Sequence, residues 1–216
     1  MVIKQRARND EDKLERRQAI LDAGLDVWNE TSYADFTMSA VAERAGIVKG
    51  TVYLYFETKE QLFLALIDDM LADYFDAVDA RLEEGGRWSK SRVVEALIGA
   101  LEGREAFTRL LTTLGSICEH NVSYEHALVF KRLMLDRFTR TAALLVKRLP
   151  FLTVETAMRF VTHISAMVTG LAHMTYPAPV MEKVFELPEM AVLKFDLKTE
   201  ARAAAQALLD GLEQES

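Results

Sequence analysis

Cysteine is almost missing from this chain. Cys118 stands alone among 216 residues, which excludes an intrachain disulfide framework and fits a reducing compartment. Proline occurs four times and glycine ten times, so breakers of regular structure are few. Segments that alternate apolar and polar residues are also few, whereas long stretches repeat with a period near 3.6, so the expected fold is all-α. No apolar run approaches the ~20 residues needed to span a bilayer, and the N-terminus is charged, unlike a signal peptide; no membrane partner and a cytoplasmic location are expected. A glycine-rich phosphate loop after a strand, a His-Glu-x-x-His pair and a nucleophile elbow are all lacking. Acidic pairs such as Asp68-Asp69 and Glu83-Glu84 fit solvated helix faces. Neither an enzyme nor a resident cofactor is expected.

Half of the residues are hydrophobic, ample for a buried core, and the net charge is −7. The acidity is unevenly spread. Residues 1–59 hold nine lysines and arginines against ten acidic residues, whereas residues 60–216 hold 17 against 23. The first part is therefore about neutral, and Lys4, Arg6, Arg8, Lys13, Arg16 and Arg17 lead it. They are expected to form either a disordered basic arm or a solvated, frayed terminus. Local sign matters more than total charge, because phosphate contacts act within about a Debye length, ~8 Å at physiological salt.

The most informative stretch is residues 37–63, TMSAVAERAGIVKGTVYLYFETKEQLF. Val41, Ala42 and Ala45 recur at helical spacing, so a short helix buries that side. Gly46 follows where the chain must turn, a place for a residue that tolerates positive φ. The next segment buries Val52 and Phe56, four apart, and leaves Lys49, Thr51, Tyr53 and Tyr55 for another surface. Lysine, threonine and tyrosine together on one short helix can meet phosphates and base edges, so Val48–Tyr55 is read as a DNA-recognition helix. The alternative is an ordinary three-helix bundle with a chance turn.

At these residues the chain resembles the TetR family of one-component bacterial repressors. The likeness lies in Phe36-Thr37, Val41-Ala42, Ala45-Gly46-Ile47, Lys49 to Tyr53, Tyr55-Phe56, Lys59-Glu60 and Leu62, and upstream in Arg17 to Ala23. It covers roughly the first 70 residues. It implies an N-terminal three-helix helix-turn-helix head over residues 14–74, with its motif at about 37–56. A larger C-terminal bundle, residues 75–216, would dimerise and hold a ligand. Residue by residue, Lys49, Gly50 and Thr51 would lie in the major groove. Tyr53, Lys59 and Thr37 would hold phosphates, and Tyr55 would meet backbone or a base edge. Two departures stand out. Val48 replaces the usual capping serine, and Thr31-Ser32-Tyr33 replaces the usual glycine-containing turn.

Elsewhere the pattern predicts a first helix from about Asp12 to Glu30, with Ile20, Gly24, Val27 and Trp28 on one face. A fourth helix opens at the capping box Thr58-Lys59-Glu60-Gln61, followed by the stripe Leu62, Phe63, Leu66, Ile67, Met70, Leu71 and Tyr74. Gly85-Gly86 predicts a break. Helices are expected near 89–102, 104–119, 123–148, 153–176 and 198–213, with Thr153 an N-cap and Pro188 in a connecting loop. Ala166 and Gly170 on one helix, and Ala204, Leu208 and Leu212 on the last, suggest a homodimer through a four-helix interface built from 153–176 and 198–213.

Methionines and aromatics of the C-terminal part offer a ligand pocket for a small apolar effector, with Phe107, Met134, Phe138, His163 and Met167 as candidates, although most such residues simply form core. His163 and His173 lie ten apart on different helix faces, and His120 and His126 flank Cys118; no metal site is expected. Cys118 reads as a buried thiol rather than a redox sensor. The expected function is a homodimeric repressor, released from a palindromic double-stranded DNA operator by an apolar or amphipathic small molecule. The alternative is a constitutive DNA-binding protein without an effector, which should lack a cavity between the helices near 104–174.

Overall fold

The computed structural model describes all residues except 1, 116, 118–121, 178, 195 and 216, and only the backbone of 2–10 and 179. Cys118 and His120 thus lie outside the described residues. Those described contain no strand, and the architecture is all-α. Close packing divides the chain into two units, residues 1–69 with 113–127, and residues 70–112 with 128–216.

In the first unit, α1 runs Val2–Glu30, α2 Met38–Arg44 and α3 Lys49–Tyr55, and α4 (Lys59–Glu83) begins there before passing into the second. α1 starts ten residues earlier than the pattern predicts. The segment expected as a disordered arm or frayed terminus is helical, since nothing between Val2 and Asp12 is a proline or glycine. Ile20, Leu21, Ala23, Val27 and Trp28 are buried, and so are Phe36, Val41, Val52, Phe56, Leu62, Phe63 and Ile67. Phe63 is the hub. Trp28 meets it edge-on at 5.3 Å, and the Phe36 and Tyr33 rings lie 4.6 and 5.0 Å away. Each such pair contributes about 0.5–1.5 kcal/mol beyond area burial.

The turn after α1 closes without glycine. Thr31 donates its hydroxyl to the Val27 carbonyl at 2.7 Å, Ser32 Oγ bonds the Asp35 carboxylate at 2.6 Å, and the Phe36 N–H reaches the Ser32 carbonyl. No residue other than glycine adopts positive φ among those described. Side-chain hydrogen bonds to backbone do here what a left-handed residue does elsewhere.

The second unit holds the C-terminal part of α4, then α5 Lys90–Ile98, α6 Glu105–Leu111, α7 Tyr124–Arg148 (all but its first turn), α8 Val154–Thr175, α9 Pro179–Val184 and α10 Leu197–Gln214. Gly85-Gly86 falls in the expected break. The helix predicted over 89–102 is α5, capped by Ser89, followed by a 3-10 turn at Gly99–Leu101. The helix predicted over 104–119 is α6, interrupted by a turn at Thr112-Thr113; the Thr112 hydroxyl bonds the Arg109 carbonyl at 2.7 Å and competes with the helical ladder. Thr153 caps α8 in a reciprocal pair with Thr156. The connection expected to be loop contains α9 and a 3-10 helix at Pro188–Leu193, with Pro188 at its first position, where a missing N–H costs nothing. Asp196 caps α10 at 2.8 Å from the Thr199 N–H.

Tyr74, Phe75, Val78 and Leu82 of α4 are buried in this unit, and Tyr74 donates to the Leu97 carbonyl at 3.1 Å. α8 and α10 pack on one another, burying Ala157, Phe160, Val161, Ile164 and Val168 from one and Leu197, Ala201, Ala205 and Leu209 from the other. The predicted stripe Ala204, Leu208 and Leu212 lies one step round α10, half-exposed.

Candidate nucleic-acid interface

The helix-turn-helix is built from three local devices. Thr37 adopts extended backbone (φ −132°) and accepts the Ala40 N–H at 3.2 Å, so α2 begins there. α2 ends in a Schellman motif: Gly46 takes φ +65°, its N–H bonds the Glu43 carbonyl at 3.1 Å, and the Ile47 N–H bonds the Ala42 carbonyl at 3.0 Å. α3 then starts at Val48, whose side chain offers no cap and is exposed. The valine in place of serine leaves the first N–H groups of α3 without side-chain acceptors.

Val52 and Phe56 are buried, which turns the opposite side of α3 outward. Lys49, Gly50 and Tyr53 are exposed there, with Thr51 and Tyr55 half-exposed. Lys49 Nζ lies 5.8 Å from the Tyr53 ring centroid, so the cation and the phenol share one flank. Lys49, Gly50, Thr51, Tyr53 and Tyr55 thus all lie on α3, while Thr37 stands apart from them in sequence, at the cap of α2. The pattern at 48–56 missed one residue of that face: Leu54, which is 83% exposed. Its signal was the periodicity itself, since position 54 falls opposite Val52.

Lys59 sits differently. It opens α4, but its ammonium donates to the Tyr33 carbonyl and lies 4.0 Å from the Tyr33 ring centroid. Burial pushes its pKa below the ordinary lysine value, opposed by Glu60 and Asp35. Tyr33 in turn donates its hydroxyl to Glu60 Oε1 at 3.0 Å; burial first, then that carboxylate, push the phenol up to about 12. Thr58 and Gln61 cap the helix, but not reciprocally as the box predicts. The Gln61 N–H bonds Thr58 Oγ1 at 3.1 Å, while Gln61 Oε1 takes the N–H of Glu57, one residue further back.

In the second unit the five candidate ligand residues differ in burial. Phe107 and Phe138 are buried, Phe107 stacked on Tyr74 at 5.7 Å and Phe138 at 5.4 Å from Phe75. Met134 and Met167 are half-exposed. His163 is exposed and lines a shallow surface hollow with Arg159, Phe160, Leu208, Gly211 and Leu212. Among the described residues no cluster of three or more His, Cys, Asp or Glu is placed to hold a metal ion. No helix among them is long and apolar enough to cross a membrane.

Residues 20–66 match the family model "Bacterial regulatory proteins, tetR family", and residues 68–216 match "Tetracyclin repressor-like, C-terminal domain". The transcriptional regulator BetI of Klebsiella pneumoniae is 36% identical over 84 residues, 39% of this chain and 43% of that protein. The fatty acid metabolism regulator protein of Bacillus subtilis is 31% identical over 65 residues, 30% of this chain and 34% of that protein. The chain thus aligns with less than half the length of these curated relatives. The solved structure of FadR from Bacillus subtilis in complex with stearoyl-CoA superposes with a TM-score of 0.60 at 19% identity, over 90% of this chain and 98% of that one, and shares its fold. Two matched models covering both parts of the sequence leave one assignment: the chain belongs to the TetR family of DNA-binding transcription regulators, which are not enzymes.

Proposed function

We propose that this protein is a homodimeric repressor that holds a palindromic operator with two copies of α3 and is released by an amphipathic small molecule. The observation that carries the reading is the outward face of α3, where Lys49, Thr51, Tyr53 and Tyr55 stand clear of the buried Val52 and Phe56. In this proposal Lys49, Gly50 and Thr51 enter the major groove, Tyr53 and Thr37 hold phosphates, and Tyr55 meets backbone or a base edge. Lys59 is proposed as a further phosphate contact, using ammonium hydrogens beyond the one given to the Tyr33 carbonyl. One seven-residue helix reads too few base pairs for genomic specificity, so two half-sites about 34–36 Å apart, or in a related spacing, are expected.

The dimer would form through α8 and α10, residues 154–175 and 197–214. Both helices keep a second face open after packing on each other: Ala166 and Gly170 are exposed, and Ala204, Leu208 and Leu212 half-exposed. Small residues there permit close approach of a second pair. The domains are proposed as residues 14–74 for the head and 75–216 for dimerisation and ligand.

The effector is proposed to be apolar or amphipathic. The stearoyl-CoA bound by the Bacillus subtilis relative makes a long-chain acyl-CoA the first compound to try. Met134, Met167 and His163, with Phe107 and Phe138 displaced from their packed positions, are the proposed contacts. A ligand lowers DNA affinity only if it prefers the non-binding state, and a tenfold loss needs ~1.4 kcal/mol of preference. A second reading, a constitutive DNA binder without effector, draws on the close packing of Phe107 on Tyr74 and of Phe138 on Phe75.

Selection of bound sequences from a random duplex pool at fixed salt tests the core reading. A palindromic consensus is expected, and protein that enriches no sequence overturns it. Adding acyl-CoA to the selected complex then separates the two readings, since a constitutive binder keeps its affinity.

A further inference from the structure

Leu54 is 83% exposed on a seven-residue helix whose other aliphatic side chain within the helix, Val52, is wholly buried. A lone exposed leucine is ordinary on a protein surface; its position on α3 is what matters. At about 100° per residue it stands about 200° round the helix from Val52, at the centre of the outward face. One turn earlier on the same line is Gly50, with no side chain and nothing within 4 Å of where a Cβ would stand. Lys49 and Tyr53 lie to one flank, the ammonium 5.8 Å from the phenol ring. The face thus has a cationic and aromatic flank, a hollow at Gly50 and one projecting isobutyl group beside the hollow.

That isobutyl group has no donor or acceptor, so neither a phosphate nor a polar base edge can hold it. Within the major groove the apolar feature open to it is the C5-methyl of thymine. We propose that Leu54 is a specificity-determining residue that packs on a thymine methyl in each half-site, the Gly50 hollow letting α3 come close enough for contact. The inference rests on α3 lying in the major groove.

Thymine-to-uracil replacement removes only the methyl group and isolates the contact. Full-length wild type, Leu54→Ala and Leu54→Gln are measured against the selected consensus duplex and against versions with each thymine replaced in turn, after circular dichroism confirms unchanged helicity. Wild type should lose about fourfold in affinity at one thymine of each half-site, the equivalent of ~0.8 kcal/mol per methyl. The same replacement should leave Leu54→Ala and Leu54→Gln unchanged. Equal losses in wild type and variants, or no loss at any thymine, overturn the proposal while leaving the DNA-binding function standing. A pool that yields no consensus removes the reading of α3 as well.

Discussion

Thr141 on α7 donates its hydroxyl at 2.7 Å to Asp79, a carboxylate of α4 with no solvent exposure. Arg140 Nε lies 2.9 Å from the other oxygen as an ion pair, although that oxygen finds no aligned hydrogen bond among the described residues. Burial pushes the Asp79 pKa up, while Thr141 and then Arg140 pull it back. A buried charge with so few partners is costly to disturb. Thr141→Val removes the hydrogen bond at nearly constant volume and should destabilise the second unit by about 1–3 kcal/mol, read from the urea midpoint at pH 7. A change well below that range would show that the carboxylate finds compensation elsewhere.

Gly46 supplies the left-handed backbone that ends α2, with open space where a Cβ would stand. Gly46→Ala meets conformational strain and no clash. Unfolding should be easier by about 1–2 kcal/mol, and operator affinity should fall with it because the angle between α2 and α3 depends on that turn. Unchanged thermal stability would mean that the turn relaxes at no cost.

Asp68 carries a pH dependence whose sign follows from its surroundings. Its Oδ1 is buried with no hydrogen-bond partner among the described residues. Burial first and the Asp69 charge second push its pKa to about 6, against the pull of Arg17. The folded state therefore binds this proton more tightly than the unfolded chain, whose carboxylate titrates near ~3.9. The stabilisation is full below about pH 4 and is lost as pH rises through 6. Asp68→Asn should gain about 1 kcal/mol at pH 7, discounted for the water that reaches the site, and nothing at pH 4. Equal effects at both pH values in urea titrations would contradict this.

Lys49 and Lys59 should behave differently on DNA. Lys49→Ala should weaken operator binding and alter sequence preference, because its side chain stands on the outward face of α3. Lys59→Ala should weaken all duplexes alike and reduce the slope of log affinity against log salt by about one. Should the salt slope stay put while affinity drops, Lys59 works through the Tyr33 carbonyl alone, ordering the turn after α1.

Gly170 is exposed on α8, with no atom within 4 Å of where a Cβ would stand, so Gly170→Glu leaves the protomer intact. Placed at a dimer seam, two buried glutamates would face one another without partners. Light scattering should then report monomers and operator affinity should collapse. A persisting dimer would move the interface away from α8.

Much of the head was legible because its constraints are local. Periodicity placed Val52 and Phe56 inward, Gly46 marked the turn and Thr58 marked the start of a helix, and all of these depend on residues within a few positions of each other. The same logic located Thr153 and the break at Gly85-Gly86. It failed where a side chain competes with the backbone, as Thr112 does inside the predicted helix over 104–119, and where short helices open at prolines, as at Pro179 and Pro188.

What the chain alone determined was the all-α class, the order of its main helices and the outward face of α3, since a period of 3.6 and a few capping groups act over one or two turns. Tertiary packing decided the rest: that Lys59 points its charge at the Tyr33 carbonyl, that Phe107 and Phe138 pack against Tyr74 and Phe75, and that Asp79 is buried against Thr141. The first of those pairings joins residues 26 positions apart and the last 62, and no local rule reports which distant side chain will fill a given space.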